Sequence, residues 1–157
     1  MDDIDIEIRD LPVLLLRARE ALSMQFREIF LLHDLTDPQW RVLRILKNSP
    51  NIGTSQLAHR SQLLGPSLSR IVRDLTHRGL MVRTTDPRDA RRAFHALTDA
   101  GAKVIEEVSP YFTPIYDDLK ARLGGERIIE INLALKTLLD ALDFVVETEP
   151  ETTAADG

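Results

Sequence analysis

Apolar residues recur along this chain at helical steps almost throughout, and the places where that rhythm stops divide it into elements. From Leu11 to about His33, the positions Leu15, Leu22, Phe26, Ile29 and Phe30 share one face, the mark of an amphipathic helix. Its polar side carries Arg17, Arg19, Glu20 and Arg27, a set that reads as solvated or paired along the helix. Asp34-Leu35-Thr36 resets the chain. Thr36-Asp37-Pro38-Gln39 then has the form of a capping box, Thr36 capping and Gln39 reaching back. The helix it opens, Asp37 to Lys47, buries Trp40, Leu43 and Leu46, with Val42 and Ile45 widening the apolar face. The Ser-Pro and Gly of residues 48–53 predict a turn-rich break. A short helix from Thr54 to about Ser61 buries Leu57 and Ala58, leaving Ser55, Gln56, His59 and Arg60 outside. A second opens at Gly65-Pro66-Ser67, where proline suits the first turn. Leu68, Ile71, Val72 and Leu75 fix its buried stripe, and Gly79 ends it in the left-handed manner.

Leu80–Thr84 and Ala93–Leu97 read as two strands joined by an eight-residue polar link, residues 85–92. Thr98 caps a long helix with Val104, Ile105, Val108, Tyr111, Phe112, Ile115, Leu119 and Leu123 on its apolar side. Pro110 and Pro114 predict a kink within it. After Gly124-Gly125 comes a last stripe of Ile128, Ile131, Leu135, Leu138, Leu142 and Val145. Short helix, tight turn, second amphipathic helix, hairpin: that order predicts a mainly α chain built on a winged helix-turn-helix with a small β-hairpin wing. Such a module puts its second helix into the DNA major groove.

Charge sharpens the expectation. Residues 54–98 hold eight arginines against three aspartates, a balance of +5, in a chain whose net charge is −5, so everything else sums to −10. A basic island in an acidic protein is the footprint of a nucleic-acid surface; the plainer reading is a solvated arginine face. Opposite the buried stripe of the second helix lie Pro66, Arg70, Arg73 and His77, flanked by Ser67, Ser69 and Asp74. Hydroxyls at a helix start can donate to phosphates or base edges beside the helix amides, and arginines one turn on can be bidentate to guanine. Ser67, Ser69, Arg70 and Arg73 are therefore the expected readers, with Ser55 and Gln56 of the preceding helix also facing DNA. In the link, Arg88 is placed as a minor-groove finger, with Arg91 and Arg92 as backbone contacts. Asp86 and Asp89 are expected to brace these arginines by short hydrogen-bonded pairs.

The rest of the composition mainly excludes. There is no cysteine, so disulfides and thiolate chemistry are out. No apolar run approaches a membrane span, and the start MDDIDIEIRD does not look like a signal peptide, so a cytoplasmic protein with no membrane partner is expected. His33, His59, His77 and His95 are scattered without metal-ligand spacing, and there is no phosphate-binding glycine loop or nucleophile elbow. Neither an enzyme, a metal site nor a cofactor is expected. The tail at 147–157 is polar and acidic, and is expected to be disordered. The helices at 11–33 and 99–146 carry more apolar surface than a monomer of 157 residues can bury. They are expected to pair with a second copy, setting two recognition helices on successive major-groove faces of a pseudo-palindromic double-stranded site. A winged helix used for protein–protein contact is the main rival, and a metal-responsive regulator a further one; the first would want a neutral or apolar outer face on residues 66–78.

Asp86-Pro87-Arg88-Asp89-x-Arg91, followed by Leu97-Thr98-x-x-Gly101, stands in the wing position after a helix-turn-helix. On these residues, and over nearly its whole length as one domain, the chain resembles the MarR family of winged-helix regulators. Leu15-Leu16-Arg17-Ala18-Arg19-Glu20-Ala21, Phe26-Arg27, Leu35-Thr36-x-x-Gln39-Trp40-Arg41-Val42-Leu43-Arg44 and Pro66-Ser67-Leu68 are similar, more narrowly, to regulators of homoprotocatechuate (4-hydroxyphenylacetate) degradation operons. The resemblance implies a homodimer that represses by covering its operator. Activation stays open, since polarity depends on where the operator lies. It also implies an aromatic carboxylate effector, bound between the dimerisation helices and the winged part, that weakens DNA binding. Candidates toward that acid are Arg17, Arg19 and Arg41 for the carboxylate and Trp40 and Met24 for the ring. Each has a plain alternative: core for Trp40, surface or interface ion pairs for the arginines.

Overall fold

The computed structural model describes residues 3–142 and 144, and the chain divides into two compact units, Met1–Asp37 and Pro38–Gly157. The first unit is a single helix and its exit. Helix α1 runs from Asp3 to Leu32, starting eight residues before the expected Leu11, with Pro12 inside it. The exit is made by Asp34, whose φ of 53° is left-handed, while the Leu35 N–H reaches back to the Phe30 carbonyl at 2.8 Å.

The second unit is built around α2 (Asp37–Asn48), whose Trp40, Val42, Leu43, Ile45 and Leu46 are all buried. Trp40 meets Phe112 edge-on, ring centroids 5.0 Å apart at 68°, an arrangement aromatic quadrupoles favour. After α2 the chain does not simply turn. Ile52–Gly53 forms a short strand, β1, pairing with His95 and Phe94 of β3 (Asp89–Leu97), which also pairs with β2 (Met81–Asp86), so the sheet has three antiparallel strands in the order β1-β3-β2 and not two. Helices α3 (Thr54–Ser61) and α4 (Gly65–His77) follow, the first ending on Gln62 in the left-handed conformation. Leu57, Leu68, Val72 and Leu75 seat them in the core.

The end of α4 and the start of α5 (Asp99–Val108) are interlocked. Gly79, at φ 71°, lets the Leu80 N–H reach Leu75 O at 2.9 Å and its own N–H reach Thr76 O at 3.0 Å, the two bonds of a Schellman cap. Thr98 caps α5 by accepting from the Gly101 N–H at 3.0 Å, and its hydroxyl donates to the Gly79 carbonyl at 2.7 Å. The expected long helix is three segments: α5, a 3-10 stretch Ser109–Phe112, and α6 (Thr113–Leu123). Pro110 and Pro114 each stand at the start of a segment, where a missing N–H costs least. After helix α7 (Gly125–Ala141) only Leu142 and Phe144 are described; Val145 and the tail at 147–157 lie outside the described residues. Helices α6 and α7 bury no residue, and Ile129, Leu133 and Leu142 are each more than 60 % exposed.

Candidate nucleic-acid interface

Helix α4 buries Leu68, Val72 and Leu75, and that choice turns Pro66, Ser67, Ser69, Arg70, Arg73 and His77 to the outside; all six are exposed. The preceding Leu64 supplies no side-chain cap, so the first amides of α4 have no side chain competing with an anion. Asp74, the one acid on this helix, is drawn off the arginine face. Its carboxylate accepts from Gln39 Nε2 of α2 at 2.7 Å and lies 3.6 Å from Arg78. The surface left is cationic and hydroxylated, with no carboxylate competing for phosphate.

The wing strands run further than expected. Strands β2 (Met81–Asp86) and β3 (Asp89–Leu97) pair, with a register shift between Thr85 and Asp86, up to Asp86 opposite Asp89, so the eight-residue link contracts to the two-residue turn Pro87-Arg88. The aspartates do brace this tip, but through the backbone and not through guanidinium pairs. Asp86 Oδ1 accepts from the Arg88 N–H at 2.9 Å and Asp89 Oδ1 from the Arg91 N–H at 3.0 Å. Short carboxylates reach the amide two residues on more easily than a long flexible side chain. The guanidinium groups of Arg88, Arg91 and Arg92 are thus exposed and make no ion pair among the described residues.

Two concavities join these pieces. A hollow of about 310 Å³ is walled by Thr54, Ser55 and Gln56 at the start of α3 and by Arg91, Arg92 and Phe94 of β3. It brings together four of the expected contact residues, at a helix N-terminus beside two arginines, the setting in which phosphate oxygens bind. A longer groove of about 750 Å³ runs between α3, α4 and the sheet, past Ser55, Ser69, Arg73, His77, Arg83 and His95. Arg83, exposed on β2 and opposite His95 in register, was not among the expected residues. Its position on the first wing strand, facing α4, is the signal that could have found it. Arg88 stands alone at the tip.

His95 ties the sheet to α3. The ring is 1 % exposed, its Nε2 lies 2.9 Å from Thr54 Oγ1, and its buried Nδ1 has no hydrogen-bond partner among the described residues. Burial, and then the Arg83 charge, hold its pKa below the usual 6.5, so the ring is neutral near pH 7.

The expected acid-binding residues are divided between the two units, and each is placed within its own. Arg17 is exposed on α1; Arg19 lies 4.0 Å from Asp37; Met24 lines a hollow within the first unit with Glu20, Arg27, Phe30 and Leu35. Arg41 donates to the Ser61 carbonyl at 2.9 Å, holding α2 to the end of α3. Trp40 does line a cavity, of about 240 Å³, with Arg44, Lys47, Asn48, Ile105, Ser109, Phe112 and Tyr116. Arg44 and Lys47 follow Trp40 at i+4 and i+7, one face of α2, and that spacing was visible without the fold.

A helix-turn-helix with an arginine-bearing second helix, flanked by a basic β-hairpin, defines a winged-helix DNA-binding protein. The MarR family profile matches residues 35–93. An HTH-type transcriptional regulator of Neisseria gonorrhoeae, FarR, is 38% identical over 82% of this chain and 85% of its own length. The homoprotocatechuate degradative operon repressor of Escherichia coli is 32% identical over 82% and 87%. The crystal structure of NadR in complex with 4-hydroxyphenylacetate superposes with a TM-score of 0.69 at 38% identity, over 84% of this chain and 91% of that one. The chain belongs to the MarR family of transcriptional regulators, whose members bind DNA as dimers. Among the described residues no helix is long and apolar enough to cross a membrane.

Proposed function

We propose that this chain is a homodimeric repressor that covers a pseudo-palindromic operator and releases it when a small aromatic carboxylate binds. The observation that carries the first half is the exposed set on α4 and the wing, from which the one helical acid has been turned away. Ser67, Ser69, Arg70 and Arg73 read bases or adjoining phosphates in the major groove. Ser55, Gln56, Arg91 and Arg92 hold the backbone, and Arg88 reaches the minor groove. Pro66 and His77 border the helix face. The second copy covers α1, α6 and α7, whose apolar residues are too exposed for a chain acting alone.

The acid-binding half rests on the Trp40 cavity. Two cations, Arg44 and Lys47, and three aromatic rings, Trp40, Phe112 and Tyr116, border a space suited to a one-ring acid. The 3-10 turn that supplies Phe112 follows α5, and α5 is locked to the α4–β2 junction through Thr98 and Gly101. A ligand that prefers one setting of α5 thereby shifts the spacing of the recognition helices, and only that preference can weaken DNA binding. The similarity to an Escherichia coli homoprotocatechuate operon repressor and to NadR bound to 4-hydroxyphenylacetate makes that acid the first to try.

The test is a fluorescence-anisotropy titration on the DNA upstream of the chain's own gene, with and without 4-hydroxyphenylacetate. Tight, salt-sensitive binding lost on adding the acid is the expected result. Binding that ignores the acid, with Arg44→Ala and wild type alike toward a panel of aromatic acids, would refute the effector half. Absence of binding both here and in a random-sequence selection would refute the whole.

A further inference from the structure

Helix α7 ends at Ala141 with Leu142 as its C-cap, and the Phe144 N–H turns back to the Leu139 carbonyl at 2.9 Å. The Phe144 ring then lies nearly parallel to the His59 imidazole of α3, centroids 6.3 Å apart at 16°. This contact fixes where the remaining segment begins: beside the first helix of the helix-turn-helix. Residues 145–157, VVETEPETTAADG, carry Glu147, Glu149, Glu151 and Asp156 and no lysine or arginine, a charge of −4. Close to their starting point is a region, residues 54–98, that sums to +5. Its Arg70, Arg73, Arg88, Arg91 and Arg92 are exposed and without an ion pair among the described residues.

We propose that the acidic segment 145–157, anchored by Phe144 on His59, occupies the arginine face of α4 and the wing and must be displaced by DNA phosphates. The inference rests on the DNA-binding reading above. Thirteen residues reach at most about 45 Å, and about 20 Å as a random coil, while the whole of α4 is about 20 Å long. Ser55 is one turn from His59 on α3, about 6 Å along the axis. A segment tethered so close has an effective concentration in the millimolar range, enough for weak acidic contacts to compete with phosphate.

The consequence is a common penalty on DNA binding. The segment acts as a set of fixed counterions, so DNA binding releases fewer free ones and its salt dependence is shallower. Displacing the segment costs the free protein the same whichever duplex binds, so specific and non-specific affinities are lowered by one common factor and their ratio is unchanged.

The experiment compares the full-length protein with its quadruple variant Glu147→Gln, Glu149→Gln, Glu151→Gln, Asp156→Asn on a random-sequence 20-base-pair duplex, from about 50 to 300 mM salt. The variant is expected to bind about 5-fold tighter at the low end, with a steeper salt slope and the gain gone at the high end. Phe144→Ala, with all four acids kept, is expected to fall between the two. Without DNA, the arginine Nε–H and backbone resonances of α4 and the wing should shift between wild type and quadruple variant. Equal affinities and slopes, with those resonances unmoved, would overturn the proposal. Phe144→Ala indistinguishable from wild type would overturn the anchor. If neither protein binds any duplex, the DNA-binding reading has failed, and the resonance comparison still decides whether the segment contacts the arginines.

Discussion

Gly101 is where the wing motif meets the recognition helix, and its replacement by alanine is the sharpest test of how the two are joined. A Cβ built on Gly101 would stand 2.0 Å from the Leu80 carbonyl oxygen, 2.7 Å from Leu97 Cδ1 and 3.0 Å from Leu80 C. Ordinary C···O contacts begin near ~3.3 Å, so the carbonyl must move by more than about 1 Å. It has little room to do so. Leu80 O accepts from the Thr98 N–H at 3.2 Å, and the Leu80 N–H closes the Schellman cap on Leu75. Forcing one methyl into a packed site costs about 1–3 kcal/mol, and losing the Thr98 bond about 1 more. Against this, alanine gains about 1 kcal/mol over glycine inside a helix. The net expectation is a loss of about 1–3 kcal/mol. Trp40, the only tryptophan and 7 % exposed, reports unfolding in urea; wild type and variant are compared at one protomer concentration, since a dimer's midpoint depends on it. Gly65→Ala is the control, because nothing lies within 4 Å of its added Cβ, and it should be neutral or slightly stabilising. A Gly101→Ala midpoint at or above wild type would refute the argument, since it would mean the close approach to Leu80 relaxes without cost.

Three further outcomes follow from the same geometry. Arg70→Ala and Arg73→Ala should each weaken specific binding by roughly 1–3 kcal/mol if their contacts are bidentate to a base; unchanged operator affinity in both would remove α4 as the reading helix. Arg88→Ala should weaken binding and lower the salt slope by about 1 per wing if the residue touches phosphate, and an unaltered slope with unaltered affinity takes it off the interface. For His95, burial first and Arg83 second place the folded-state pKa below 6.5, so below that pH the unfolded chain binds more protons than the folded one. Its contribution is therefore whole above pH 6.5 and is lost as pH falls through the folded pKa. Urea midpoints from pH 8 to 5 should decline more steeply for wild type than for His95→Asn, and parallel declines would refute the assignment.

The elements legible beforehand are those whose apolar residues repeat. Leu68, Ile71, Val72 and Leu75 mark one face four times over, so α4 and its outward arginines could be placed without coordinates. Strand β1 escaped because two residues, Ile52 and Gly53, make no period, and its existence depends on β3 presenting His95 and Phe94 to it. The wing tip escaped for a different reason. Thr85-Asp86-Pro87-Arg88-Asp89 looks like a loop by composition, yet pairing extends through it because a hairpin exposed on both faces needs no apolar alternation. For the acid-binding candidates on α2, the face of the helix matters as well as the residue type. Arg41 and Arg44 are equally basic neighbours of Trp40, but one position along α2 rotates a side chain by about 100°. That rotation sends Arg41 to the Ser61 carbonyl and sets Arg44 beside Trp40 on the wall of the cavity. A helical-wheel reading, asking which cations stand at i+3, i+4 or i+7 from the buried tryptophan, separates the two from the sequence. It makes a pair of demands: Arg44→Ala should alter the response to an aromatic acid. Arg41→Ala should lower stability by about 1–3 kcal/mol, through the Ser61 carbonyl left without its charged donor.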